Sequence, residues 1–352
     1  MNLFDYVRPA SVAEAVAAAA EPGAAYLAAG TNLLDLMKGG ALRPGKLVDV
    51  TRLPGLDRIE RLADGSLRIG AMVRNADLAR DPAFAATYPA AAEALLSGAS
   101  PQLRNAATVG GNVMQRTRCA YFHDAASACN RRDPGAGCDA LGGENRSHAV
   151  LGWSDACIAT HPSDFCVPLV ALDAVVEIEG RDGRREALLE DFHLLPGATP
   201  ERETNLAAGE LVTALRLPAR AAGFRAYSRY LKLRERTSFA FALVSAAAAL
   251  RIENGRISEA RLALGGVAAK PWRARAAEAL LVGAAPDGDA FAKAAAAALA
   301  DARPSGDNAY KIELAKGVVK RALLLAAAGT PVRMPALPGS VFASDTGVAS
   351  HA

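Results

Sequence analysis

Leu27-Ala28-Ala29-Gly30-Thr31-Asn32-Leu33-Leu34 joins an apolar run, Ala25-Tyr26-Leu27-Ala28, to the helical pattern Leu33-Leu34-Asp35-Leu36-Met37, which stops at Gly39-Gly40. The succession reads as a strand, a tight turn of small residues, and a helix. Such a turn lets backbone N–H groups approach an anion, and the start of the helix adds a favourable partial charge. A pyrophosphate fits this pattern. Taken alone, a purely steric Gly-Thr turn fits it better, so a second phosphate or ribose element is needed to decide.

The second element is Thr108-Val109-Gly110-Gly111-Asn112, where paired glycines again expose backbone donors and the flanking Thr and Asn offer side-chain hydrogen bonds with little bulk. Upstream of both, Ser11-Val12-Ala13-Glu14 has the spacing of a capping box at a helix start. Lys46-Leu47-Val48-Asp49-Val50 reads as another strand, and Leu67-Arg68-Ile69-Gly70-Ala71 pairs with the segment around Ile59 across Asp64-Gly65. A helix is expected over Ala86 to Leu96, then an irregular Gly/Asn/Arg-rich region from near residue 100 to about Pro168.

Regular structure resumes with a hairpin through Val175-Val176-Glu177-Ile178 and the Arg181-Asp182-Gly183 turn, and with a strand over 210–218. A domain boundary is placed near residue 220. Beyond it, Phe241 to Ile252 and Ile257 to Leu264 flank Asn254-Gly255, a strong hairpin signal. Helical segments follow at 274–281, 291–300 and 310–327, then an extended tail over 331–352 that is expected to lie on a partner or to be disordered. The fold class is α+β: residues 1–220, residues 221–330, and the tail.

The 352 residues, 51% hydrophobic, are enough for more than one domain. Forty basic and 37 acidic residues are scattered in both signs, which implies no nucleic-acid partner. The opening Met1-Asn2-Leu3-Phe4-Asp5-Tyr6 has no basic-then-apolar signal pattern, and no later run approaches the roughly 20 apolar residues of a membrane span. Five cysteines all fall between Cys119 and Cys166. Thiols used only for core packing would not cluster so tightly.

As a set, Ala28-Ala29-Gly30-Thr31-Asn32, Ile69-Gly70-Ala71 and Thr108-Val109-Gly110-Gly111-Asn112 have the order and approximate spacing of the FAD-binding domain in the xanthine dehydrogenase and carbon monoxide dehydrogenase flavoprotein family, which they resemble. Ser163-Asp164 with Pro168-Leu169-Val170-Ala171-Leu172-Asp173-Ala174 resembles the stretch after the glycine pair. Tyr230-Leu231-Lys232-Leu233-Arg234 with Phe239-Ala240 resembles the opening of the C-terminal domain. The resemblance runs from Phe4 to about Ala327. It implies a PCMH-type FAD-binding domain of two α/β subdomains and a smaller α+β domain like that of carbon monoxide dehydrogenase flavoproteins. It also implies that the FAD pyrophosphate lies along Leu27, Ala28, Ala29, Gly30, Thr31, Asn32, Leu33 and Leu34, with further contacts from Thr108, Gly111, Asn112, Asp164 and Lys232.

The chain departs from most of that family in a long insertion at about 113–163, which carries the cysteines. Cys119-x9-Cys129-x8-Cys138-x18-Cys157 can supply the four thiolates of a [4Fe-4S] cluster, with Gly135, Gly137, Gly142 and Gly143 letting the backbone wrap a bulky core. Zinc is the alternative metal, although paired CxxC knuckles are absent, and disulfides are the alternative redox state. The insertion also resembles that of the periplasmic aldehyde oxidoreductase flavoprotein subunits, in Cys119-Ala120-Tyr121-Phe122, in Cys129-Asn130-Arg131-Arg132-Asp133-Pro134-Gly135-Ala136-Gly137-Cys138 and in Glu144-Asn145-Arg146-Ser147. That resemblance favours [4Fe-4S]. Cys166, in an apolar context, reads as a buried small residue or a substitute for Cys157. His123, His148 and His161 read as solvated or structural, and the arginines at 116, 118, 131 and 132 as solvating the insertion or facing a partner.

What the resemblance implies is an electron relay with no catalytic residue of its own: FAD takes electrons from iron–sulfur centres and passes them to an external acceptor. The implied partners are a small subunit with [2Fe-2S] clusters and a large subunit with molybdenum cofactor, in a heterotrimer that oxidises an aldehyde. A hydroxybenzoyl-CoA reductase-like or N-heterocycle-oxidising relative competes with that reading. Two other classes stand beside it. A covalent-FAD oxidase would need a His or Cys near the glycine turn, and none precedes Cys119. A zinc-stabilised assembly module would bind nothing at the glycine turns. The compartment is periplasmic, by co-export with a signal-bearing partner, or cytoplasmic.

Overall fold

The computed structural model describes residues 1–332, so the expectation for the tail falls, past residue 332, outside the described residues. The chain opens with β1 (Asp5–Val7), α1 (Val12–Ala19), β2 (Ala24–Leu27), α2 (Leu33–Lys38) and β3 (Lys46–Asp49). The three strands form a parallel sheet in the order β1-β3-β2. Ser11 caps α1 by accepting from the Glu14 N–H, while the Glu14 carboxylate accepts from Ala10 N at 2.9 Å, one residue earlier than a capping box requires. Ala15, Val16 and Ala19 of α1 pack on Val48 and Val50.

The second subdomain contains β4 (Ile59–Arg61) and β5 (Leu67–Gly70), then α3 (Asn75–Arg80), α4 (Pro82–Thr87), α5 (Pro89–Ser97), α6 (Pro101–Ala106), α7 (Val109–Val113) and, inside the insertion, α8 (Ala120–His123). It continues through α9 (Cys166–Ala171), β6 (Val175–Gly180), β7 (Gly183–Leu188), α10 (Leu189–Phe192) and β8 (Leu211–Leu217). Its five-stranded antiparallel sheet runs β4-β5-β8-β6-β7. Two sequence expectations change here. The single helix over 86–96 is two helices, because Pro89 starts α5 with no N–H to give and Tyr88 leaves helical geometry at φ −128°, ψ 59°. The region after residue 100 is less irregular than expected, because Ser100 and Thr108 cap the short helices α6 and α7.

The C-terminal part holds β9 (Ser228–Leu233), β10 (Val244–Glu253), β11 (Arg256–Gly265), β12 (Trp272–Arg273), α11 (Arg275–Leu281), α12 (Gly288–Ala298) and α13 (Tyr310–Ala327). Its antiparallel sheet is ordered β12-β11-β10-β9, and Asn254 and Gly255 turn the β10–β11 hairpin with φ of 51° and 74°. Alternation along β10 splits its small side chains between two cores. Ala247 and Ala249 join the core built around α9 and the five-stranded sheet, whereas Ala246, Ala248 and Leu250 join the core under α13. The alanines let layers on both faces approach closely. No described helix is long and apolar enough to cross a membrane.

Candidate cofactor site

At the end of β2 the chain makes the turn read from the sequence. Gly30 takes φ 75°, which restricts the position to glycine, and a Cβ there would also push the Leu34 side chain at 2.6 Å. None of the backbone N–H groups of residues 28 to 32 donates to another described protein atom, which leaves five consecutive donors for a ligand. Asn32 Oδ1 accepts from Arg116 N at 2.9 Å, while its Nδ2 is buried without a partner.

The other glycine element borders the same cleft as this turn. Thr108 Oγ1 accepts from Gly111 N at 3.2 Å and caps α7. Gly110 N donates to Ala71 O at 2.7 Å, and a Cβ on Gly110 would lie 2.8 Å from Ala71 Cβ, so the Ile69-Gly70-Ala71 segment and the glycine pair touch. Asn112 Oδ1 accepts from Ser163 Oγ and Gln115 Nε2, each at 2.7 Å.

Between these elements and the C-terminal sheet lies a cleft of about 820 Å³, within the range of cofactor pockets. Thr31, Asn32, Gly111, Asn112 and Asp164 border it; Leu27 to Gly30, Leu33, Leu34, Thr108 and Lys232 do not. Lys232 Nζ instead donates to Asp164 Oδ2 at 2.7 Å. Buried polar atoms without protein partners line the cleft: Asn32 Nδ2, Asn75 Oδ1, Arg118 Nε, His148 Nδ1, His161 Nε2 and Ser245 Oγ. Native interiors rarely leave such atoms unpaired, so this wall fits a ligand rich in hydrogen-bonding groups, as FAD is.

Beside the cleft, Cys119, Cys129, Cys138 and Cys157 all border one small cavity in the insertion. Cys129 and Cys138 face each other across an antiparallel bridge, closed by Asn130, whose N–H donates to Gly137 O at 2.7 Å and whose Oδ1 accepts from Gly137 N at 2.8 Å. All five cysteines are free thiols. Tetrahedral zinc, with Zn–S near 2.3 Å, needs sulfurs about 3.8 Å apart. Among the described residues no three of these sulfurs gather within 4.8 Å of one another. Burial pushes the Cys119 thiol up to about 11 and raises Cys138 as well, so thiolates here need a cationic centre beside them.

Two family models match the chain: the FAD binding domain in molybdopterin dehydrogenase over residues 2–220, and the CO dehydrogenase flavoprotein C-terminal domain over residues 229–326. The chain belongs to the FAD-binding subunits of the molybdenum hydroxylases. It is 51% identical over 283 residues to the aldehyde oxidoreductase FAD-binding subunit PaoB of Escherichia coli, covering 80% of this chain and 86% of that one. With the carbon monoxide dehydrogenase medium chain of Hydrogenophaga pseudoflava it shares 31% identity over 284 residues, 80% of this chain and 81% of the other. A solved carbon monoxide dehydrogenase of Hydrogenophaga pseudoflava, lacking the Mo-pyranopterin moiety of its cofactor, superposes with TM-score 0.73 at 32% identity, covering 93% of this chain and 98% of that one.

In this FAD-binding subunit the arginines expected to solvate the insertion turn inward. Arg131 is 5% exposed, pairs with Glu203 at 3.0 Å and places Nη2 3.6 Å from Cys157 Sγ; Arg116 joins it on Glu203. Arg132 donates to the carbonyls of Tyr121 and Phe122 at 2.8 Å, and Arg118 stacks over Phe241. Charge count alone hides these partners, because Glu203 and Phe241 lie far along the sequence. His148 is 6% exposed and the His161 ring lies 4.3 Å from that of His193, so neither stands free in solvent. Cys166 is fully buried, with its sulfur grouped with ring nitrogens of His161 and His193. Sequence reading missed Asn75, Arg118 and Ser245 of the cleft and His193, none of which stands in a motif.

Proposed function

We propose that this subunit holds FAD in the cleft and a [4Fe-4S] cluster on Cys119, Cys129, Cys138 and Cys157, and serves as the electron relay of a molybdenum-dependent aldehyde oxidoreductase. The observation that carries the reading is the convergence of four thiols on one cavity whose Cys119 also borders the cleft. When bound, FAD supplies the capacity to take up electrons from iron–sulfur centres and release them to an external acceptor. The protein's part is placement. Thr31 and Asn32, whose N–H groups are free and which border the cleft, would hold the pyrophosphate, and the hydrogen bond between Ser163 and Asn112 ties together two further residues that border it.

The aldehyde assignment rests on the 51% identity to the Escherichia coli subunit. Names such as medium chain among the relatives support a small and a large partner subunit; that these carry [2Fe-2S] clusters and molybdenum cofactor is part of the proposal. No residue of this chain is proposed to touch the aldehyde. The test is anaerobic purification with quantification of flavin and iron, followed by dithionite reduction under electron paramagnetic resonance. One FAD and about four irons per chain with a reduced-cluster signal support the reading; stoichiometric zinc without iron, or a colourless protein, overturns it.

A further inference from the structure

Within the insertion, His148 places Nε2 3.2 Å from Cys119 Sγ. It is 6% exposed and borders the cleft, as does Cys119, which also borders the cysteine cavity. Its backbone is clamped from the C-terminal domain: its carbonyl accepts from Lys311 Nζ at 2.8 Å and Asn308 Nδ2 at 3.1 Å, and its N–H donates to Asn145 O at 2.9 Å. The backbone that carries the ring is therefore fixed.

We propose that His148 is a positioning residue for the cluster, donating its Nε2–H to the Cys119 sulfur and thereby holding the reduction potential of the cluster higher than four unassisted thiolates would. A hydrogen bond to a ligand sulfur withdraws electron density from it and favours the reduced, more negative state. Donation from Nε2 leaves Nδ1 with the lone pair. Cys157 has other donors, Ala159 N at 3.5 Å and Arg131 Nη2 at 3.6 Å, but Arg131 is also committed to Glu203. His148 has no ionic partner, so it can be replaced without stranding a charge. The inference rests on the [4Fe-4S] reading of the four cysteines.

The test is a potentiometric titration of the full chain followed by electron paramagnetic resonance, comparing the unaltered protein with His148→Leu and His148→Gln. The Gln side chain can place an amide N–H near the Nε2 position. The expected result is a lower midpoint in His148→Leu, by about 59 mV for each tenfold change in the oxidised-to-reduced ratio of a one-electron couple, with His148→Gln returning toward the unaltered value. An unshifted midpoint in His148→Leu at full iron content overturns the inference. Loss of iron in both variants also overturns it, because His148 would then be needed to hold the cluster and not to tune it. Absence of a cluster signal from the unaltered protein instead defeats the four-cysteine reading itself.

Discussion

Lys232 Nζ lies 2.7 Å from Asp164 Oδ2, and the Tyr230 hydroxyl donates to the other oxygen of the same carboxylate at 2.5 Å, all within a buried wall of the cleft. This joins β9 of the C-terminal domain to the segment that ends the insertion. Removing Asp164 strands the Lys232 ammonium, whose side chain is 4% exposed. Asp164→Ala is expected to destabilise the protein by about 3–5 kcal/mol, read as a lower denaturant midpoint, and Lys232→Met combined with it should recover part of the loss. A midpoint unchanged in the single variant would mean the pair contributes nothing.

Gly30 sets the shape of the turn in front of the cleft. Gly30→Val forces a branched side chain into positive φ, at about 1–2 kcal/mol, and into Leu34 at 2.6 Å. Flavin retention on gel filtration should fall roughly tenfold while the far-ultraviolet circular dichroism stays unchanged. Full flavin content in this variant would place the pyrophosphate elsewhere.

Cys138 and Cys166 separate ligand from filler. Cys138 borders the cavity shared with Cys119, Cys129 and Cys157, whereas Cys166 does not and is sealed in the core around α9. Cys138→Ser is expected to lower iron per chain well below that of the unaltered protein, and Cys166→Ala to leave iron unchanged with a stability loss of about 1 kcal/mol. Equal iron loss in both would overturn the assignment of ligands.

Local pattern made the turn at Gly30, the Asn254-Gly255 hairpin and the concentration of thiols legible, because each depends on neighbouring residues alone. Pairings across distance were not legible. Nothing near Lys232 announces that its partner is Asp164, and nothing near Arg131 announces Glu203, since an ion pair is chosen by the fold that brings its members together. The division of Ala247 and Ala249 from Ala246 and Ala248 between two cores needed both layers to be placed first. His193 escaped for the same reason: a single histidine after Phe192 has no local signature.

His193 is 3% exposed, its ring centroid is 4.3 Å from that of His161, and its Nε2 lies 2.9 Å from Val113 O. Burial, opposed only in part by that carbonyl, lowers its pKa from 6.5 to about 4. The folded protein thus keeps the ring neutral between pH 6.5 and 4, while the unfolded chain takes up a proton there. The unfolded state binds more protons in that window, so stability is complete above pH 6.5 and is lost as pH falls toward 4, by about 3 kcal/mol. His193→Gln can keep a donor to Val113 without titrating. Its thermal midpoint should fall less steeply than that of the unaltered protein over this range. Some slope remains, because burial lowers His161 in the same direction. Identical slopes in the two proteins would show that His193 does not carry the acid sensitivity.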